Sequence, residues 1–429
     1  MRGKGLASEG NGIMALNAHL VFMGPADADH YLAELTLPKK REQGLSRARD
    51  LCRDAIKQGL RSWSTVVGKR ALFEAAAMDS APDSLRPKFR MQGSFRYRTL
   101  NEPAHTPPQE IDLDDGIFVP VSYLNDQAGS HPILISAGYF QAVEALLRPL
   151  CEEEGWTLVT DKPSCVRVDL GGGAHIDFAL YAIPDDEFDD LVENDAVAKA
   201  MNAQDRAMLM EQIELAEDLY RGLREDQIML AHRDEGWKPS DPRKLEDWFQ
   251  AAMRKHGEQL RRVCRYLKGW RDYRWEVCGL SSISLMSCVV TSFDSASQPP
   301  AENRDDLALL MVAEALPGLL AGRIANPVVD GQFLDENWED QQRQEFIGEA
   351  ETLLARLREA MTGTDSPPKA LASLIAAFGD RIPNDCDLIK EEGGRVSAPG
   401  VLRGGLIKQI AEEREPQQAV QRGGDRRYG

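Results

Sequence analysis

The chain of 429 residues contains no run approaching the ~18 uncharged apolar residues that a membrane-spanning helix requires. It also lacks any CxxC pair. Its seven cysteines (Cys52, Cys151, Cys165, Cys264, Cys278, Cys288 and Cys386) are odd in number and scattered. That pattern indicates neither a disulfide framework nor a zinc ribbon, and fits reduced thiols in a cytoplasmic protein. Residues 1–13, MRGKGLASEGNGI, hold no apolar stretch that could serve as a secretory signal and read as a flexible leader. Positive charge is scarce as well: 51 Lys and Arg face 69 Asp and Glu, for a formal net charge of −18. Duplex nucleic acid is bound through clustered cations, so it is disfavoured as a partner. The richest internal basic stretch, Arg254–Arg274, has a helical pattern and suits triphosphates instead.

What remains is an ordinary globular composition, 42% hydrophobic and 28% charged, long enough for two to three domains. Residues 45–67 carry a helical apolar stripe, and 89–100 alternate as a strand interrupted at Gly93. Residues 111–123 form a second strand, and 136–147 a helix ending before Pro149. Residues 164–169 and 175–183 read as an antiparallel pair around the turn Gly171–Gly173. The run 185–195 is acidic and solvated; beyond it helical periods dominate. A long helix is expected over 206–233, and another begins at Asp241-Pro242 with an apolar face reaching Trp270. Further helices are expected over 281–290, 307–316, 338–361 and 368–378. The division is therefore a leader and N-terminal segment (1–39), an α+β domain (40–195), a helical lobe (196–412) and a disordered tail (413–429).

Three features carry chemistry, in order along the chain: Gly93-Ser94 beside a strand, Asp112-Leu113-Asp114 on the next, and Asp177 on a later one. Residues i and i+2 of a strand share a face, so Asp112 and Asp114 reach one site together. Carboxylates held that close repel unless a cation lies between them. Mg²⁺ is the natural occupant, a hard ion held by a few carboxylates and substrate phosphates. Gly93-Ser94 offers a triphosphate close backbone approach, free N–H groups and a hydroxyl. A DxD or a Gly-Ser alone more often marks only a solvated surface loop.

The wording around these residues goes further. QGSFRYRTL, QEIDLDDGIFVP and HIDFALYAIP resemble the DncV-like cyclic GMP–AMP synthases, a branch of the bacterial CD-NTases. The likeness continues through GWKPSDPRKLEDWF, RYLKGWRDYRW and SSISLMS, spanning roughly residues 40–335. It implies an α+β fold: a polymerase-β-like nucleotidyltransferase palm sheet with a helical C-terminal lobe. It places Asp112, Asp114 and Asp177 as ligands of two Mg²⁺ ions, and Gln92, Gly93 and Ser94 at the donor triphosphate. Ser240, Lys268 and Ser282 match positions contacting nucleotide; Arg167 and Asp330 match positions contacting the second nucleotide and its base. Ser240 has a second reading as a helix cap, and Lys268 as a solvated side chain. His175 shares the Asp177 face and reads as a structural histidine outside the catalytic set.

The implied reaction joins ATP and GTP into 3′,3′-cyclic GMP–AMP or a related cyclic oligonucleotide, as second-messenger generator in CBASS antiphage defence. The implied partners are an effector activated by the product and a protein similar to ubiquitin-activating and ubiquitin-conjugating enzymes. The latter would act on Gly429, at the end of the tail EREPQQAVQRGGDRRYG, which otherwise reads as a frayed terminus. DNA-sensing animal relatives carry a zinc-binding insertion; no His/Cys cluster of ligand spacing occurs here, so activation by duplex DNA is not expected. A templateless or single-transfer nucleotidyltransferase would use the same aspartates on another acceptor, and a scaffold without activity would have no use for them.

Overall fold

The computed structural model describes residues 15–126, 129–185 and 227–391. They belong to two compact units: Leu32–Cys278, and Met1–Tyr31 together with Gly279–Gly429.

The first unit opens with α1 (Lys39–Leu60), which buries Leu45, Ala48, Cys52, Ile56 and Leu60 at helical spacing. It begins earlier than the apolar stripe suggests because Pro38, which has no N–H to leave unpaired, precedes its first turn. β1 (Lys88–Met91) leads into a single helical turn, α2 (Gly93–Arg96), where the sequence pattern suggests a continuing strand. β2 (Ile111–Pro120) pairs antiparallel with β1 on one side. On the other it runs parallel to β5 (Ala174–Ile183) along its whole length. β3 (Thr157–Val159) and β4 (Cys165–Asp169) extend the sheet beyond the first half of β5, antiparallel as the Gly171–Gly173 turn demands. Beside the end of β5 lies β6 (Met229–His232), followed by β7 (Gly236–Pro239), completing seven described strands in one mixed sheet.

One face of the sheet is apolar. Ile111, Leu113, Ile176, Phe178 and Leu180 are buried against α1 and α3 (Ser136–Glu154) in one core. α3 runs through Pro149, where the sequence suggests an end. An interior proline costs roughly 3 kcal/mol, but burying an apolar side chain returns about 1.5–3 kcal/mol. Leu147 and Cys151 are both buried across the interruption, and the helix stops at Gly155 with φ +73°. Packing wins.

Residues 229–232 correct the expected long helix: they are a strand, because Met229 and Leu230 complete a ladder with Ala182 and Tyr181. Residues 206–226 of that helix lie outside the described residues, as do 186–195 of the acidic run. α4 (Arg243–His256) and α5 (Glu258–Arg274) are two helices, not one, because Gly257 takes φ +75° and ψ −173° between them.

The second unit contains α6 (Ser282–Ser295), α7 (Asp305–Ala321), α8 (Asp340–Arg358) and α9 (Pro367–Phe378). Its N-terminal contribution is anchored by a short ladder of Leu16–Asn17 with Lys390–Glu391, and by Phe22 and Tyr31 rings packed on Phe378. The compact units thus divide the chain after Cys278 rather than near residue 195, since α4 and α5 belong with the sheet. The tail 413–429, with Gly429, lies outside the described residues. Among the described residues, no helix is long and apolar enough to cross a membrane.

Candidate active site

The other face of the sheet is polar where β2 and β5 meet. Parallel pairing sets Asp112 opposite His175 and Asp114 opposite Asp177, and the alternation of both strands turns all four side chains to one side. One ligand atom each of Asp112, His175 and Asp177 lies within 4.8 Å of the others. Asp115, in contrast, points to the α1 side, where Arg53 donates to both its oxygens at 2.6 Å. The DxD spacing thus separates two site carboxylates from a structural one.

Burial and like charge act together here. Burial, then the Asp112 and Asp177 carboxylates, push the Asp114 carboxyl up to about 7. Asp177 is compensated by Arg167, whose Nε and terminal nitrogen donate to its two oxygens at 2.6 and 2.7 Å. His175 is 5% exposed. Its Nδ1 lies 2.7 Å from Glu110 Oε2, and its Nε2 lies 3.0 Å from Asp112 Oδ1, without the angle of a hydrogen bond. Burial alone would lower the His175 pKa, but the Asp112 carboxylate outweighs it and the net direction is up.

A raised carboxyl means the folded state holds its proton more tightly than the unfolded chain, where an aspartate titrates near ~3.9. In the metal-free protein this contribution favours the fold at low pH and is lost as pH rises from about 4 to about 7. The melting temperature of Asp114→Asn relative to wild type, in chelator, should therefore climb across that window. A pH-independent difference would contradict the repulsion.

Gly93 sits beneath Asp114. Its φ is +59°, and a Cβ there would lie 1.8 Å from Asp114 Oδ2, so only glycine fits. Gln92 N–H donates to Asp114 O at 2.9 Å, while the Gln92 Nε2 amide is buried without a hydrogen-bond partner. Ser94 follows in the first turn of α2, where N–H groups have no intrahelical acceptor. The turn is braced from α4: Arg90 and Arg96, on either side of it, donate to buried Glu246 at 2.8 and 2.7 Å.

Lys268 is not solvated. It is buried in α5, donates from Nζ to Thr99 O at 2.7 Å, and burial pushes its pKa down to about 8. Thr99 N–H in turn donates to Ser94 O at 2.9 Å, so the lysine is tied to the Gly93-Ser94 turn. Ser240 is half-buried just before α4, whose N-cap position is Pro242, and Asp241 Oδ1 accepts from Arg243 N–H at 2.9 Å. Ser282 opens α6, and Asp330 lies in an exposed turn before Gly331; both belong to the second unit. One part of the site is absent from the sequence reading and another is set aside there as structural. Glu246 gave no signal, because its arginines are about 150 residues away. His175 did give one, as the first residue of an HxD alternation pointing at the same face as Asp177.

Comparisons with known proteins show the family. Residues 87–181 match the model of the cyclic GMP-AMP synthase DncV-like nucleotidyltransferase domain. Residues 257–392 match that of the cyclic GMP-AMP synthase C-terminal domain. A cyclic GMP-AMP synthase of Escherichia coli is 34% identical over 336 residues, 73% of this chain and 72% of its own. One of Vibrio cholerae is 32% identical over 311 residues, 70% and 69% of the two chains. Among solved structures, Vibrio cholerae DncV in complex with the linear intermediate 5′ pppA(3′,5′)pG aligns with a TM-score of 0.70 at 26% identity, covering 89% of this chain and 100% of that one. The same enzyme with GTP and 5MTHFGLU2 aligns with a TM-score of 0.72 at 26% identity, covering 88% and 100%. With its nucleotidyltransferase sheet, its helical C-terminal region and more than two thirds of its length matched at over 30% identity, the chain belongs to the DncV-like cyclic GMP-AMP synthases and is a nucleotidyltransferase.

Proposed function

We propose that this enzyme makes 3′,3′-cyclic GMP–AMP from ATP and GTP with two Mg²⁺ ions at Asp112, Asp114 and Asp177. The observation that carries the reading is the grouping of these carboxylates on one face, Asp112 and Asp177 in one cluster and Asp114 over the Gly93 turn, with Asp114 pushed up to about 7 by burial and by its two acidic neighbours. Such a donor set fits divalent ions, which both relieve the repulsion and leave room for phosphate oxygens. When bound, they supply charge neutralisation at the α-phosphate and leaving pyrophosphate and acidify the attacking ribose hydroxyl.

The chain's own residues do the rest. Gln92, Gly93 and Ser94 receive the donor triphosphate, and Lys268 holds the turn from behind while offering positive charge. Ser240 and Ser282 contact nucleotide; Arg167 and Asp330 select the second base. Positioning and electrostatics carry catalysis, so no general-base histidine is needed. The first transfer gives a linear dinucleotide and the second closes the ring, both with loss of pyrophosphate. A single-transfer enzyme would stop at an open product. Incubation with labelled ATP and GTP should give a product resistant to phosphatase; a product that phosphatase shortens would favour the single-transfer alternative.

The proposal extends to a cytoplasmic role in antiphage defence, with the product activating an effector. It includes conjugation through Gly429 by a protein similar to ubiquitin-activating and ubiquitin-conjugating enzymes, which the resemblance implies. Deleting Gly429 should abolish covalent adducts and leave synthesis in vitro unchanged; adducts that persist would remove that part of the proposal.

A further inference from the structure

His175 is a buried histidine whose two ring nitrogens have different surroundings. Nδ1 lies 2.7 Å from Glu110 Oε2 at the edge of the site. Nε2 faces inward, 3.0 Å from Asp112 Oδ1 but without the angle of a hydrogen bond, and lies with one oxygen each of Asp112 and Asp177 inside a 4.8 Å cluster. A carboxylate on one nitrogen fixes the tautomer and ring plane and leaves the other nitrogen as a metal donor, the arrangement that supports metal-binding histidines. The residue is 5% exposed, and Nε2 meets Asp112 as a close charge neighbour rather than through an aligned hydrogen bond, a geometry that a cation held by both groups would satisfy. Asp177 is not used up by Arg167, because each carboxylate oxygen keeps a further lone pair.

We propose that His175 Nε2 is a direct ligand, with Asp112 and Asp177, of one divalent cation, and that Glu110 orients it. The inference rests on the site being the metal centre described above and adds a nitrogen donor to it. Its consequence is selectivity. An all-carboxylate site suits Mg²⁺, whereas an imidazole shifts preference toward transition-metal cations such as Mn²⁺. The same site then takes Mg²⁺ when that ion is abundant and Mn²⁺ at lower concentration.

The test uses the full-length protein and Mn²⁺ alone, without nucleotide, followed by electron spin-echo spectroscopy and by titration of free Mn²⁺. Wild type should show modulation from a ¹⁴N nucleus in the bound Mn²⁺ signal. His175→Gln should lose that modulation and bind Mn²⁺ roughly tenfold more weakly or worse, the scale of losing one supporting group at a metal site. Its Mg²⁺ affinity should change much less. Glu110→Gln should keep the nitrogen signal but weaken Mn²⁺ binding. Melting in chelator checks that each variant folds. If wild type binds Mn²⁺ without nitrogen modulation, or His175→Gln binds it unchanged, His175 serves only as the cationic neighbour of Asp112 and the inference falls while the carboxylate site stands. If Asp112→Asn also binds both ions as wild type does, the metal centre itself is misplaced.

Discussion

Asp112→Asn and Asp114→Asn should each lower synthesis by roughly a thousandfold or more while leaving the fold intact. The estimate follows from what one fixed electrostatic group contributes where charge develops in the transition state, about 10²–10³-fold for a single neutral donor. A carboxylate shared between metal ions should count for more, because the variant loses charge as well as a contact. The structure also predicts the stability change. Asp114 is pushed up to about 7 by burial and by its two acidic neighbours, so a neutral amide removes a repulsion. Asp114→Asn should therefore melt no lower than wild type in chelator near neutral pH. Pyrophosphate release with ATP and GTP, measured beside thermal unfolding, reads both effects. Wild-type turnover by either variant would contradict the assignment of the carboxylates.

Gly93→Ala should be nearly as damaging, for a steric reason. Two effects coincide: a positive φ of 59° and a Cβ position 1.8 Å from Asp114 Oδ2. The first costs about 1–2 kcal/mol of stability. The second cannot be met without moving either the turn or the carboxylate, and a displacement of about 1 Å in a catalytic group can cost 10²-fold. Gly155→Ala separates the effects. Gly155 has a similar φ of +73° with nothing near its Cβ position, so that variant should lose a comparable amount of stability and keep its activity. If both variants lose stability but Gly93→Ala retains its rate, the turn does not set the carboxylate.

The site was readable in the sequence to the extent that it follows from alternation. Asp112 and Asp114 share a face once β2 is recognised as a strand, whereas Asp177 joins them through the parallel register of β5, and the Gly-Ser turn stood where a close approach is needed. Alternation also held for His175, but the residue type did not disclose its surroundings: Glu110 against one nitrogen and the Asp112 carboxylate beside the other. Lys268 shows the reverse. Its place in a basic helix suggested solvent or phosphate, and only the packing of α5 revealed that it is buried on Thr99 O.

Errors in the elements share one cause. Pro149 within α3 and residues 229–232 as a strand are both local preferences overruled by packing or by a sheet edge. The break at Gly257 was a visible glycine whose backbone conformation no periodicity could reveal. The division after Cys278 was hidden because α4 and α5 have the same helical texture as the elements of the second unit.

The central claim is that the carboxylates over the Gly93 turn serve two successive nucleotidyl transfers that close a ring of one adenylate and one guanylate. Mass spectrometry of the product made from all four nucleoside triphosphates with Mg²⁺ tests it directly. The account predicts a single dominant species with the mass of cyclic GMP–AMP, lacking any terminal phosphate and built through 3′,5′ linkages. A linear product, a pyrimidine-containing product, or transfer to an acceptor other than a nucleotide would contradict it.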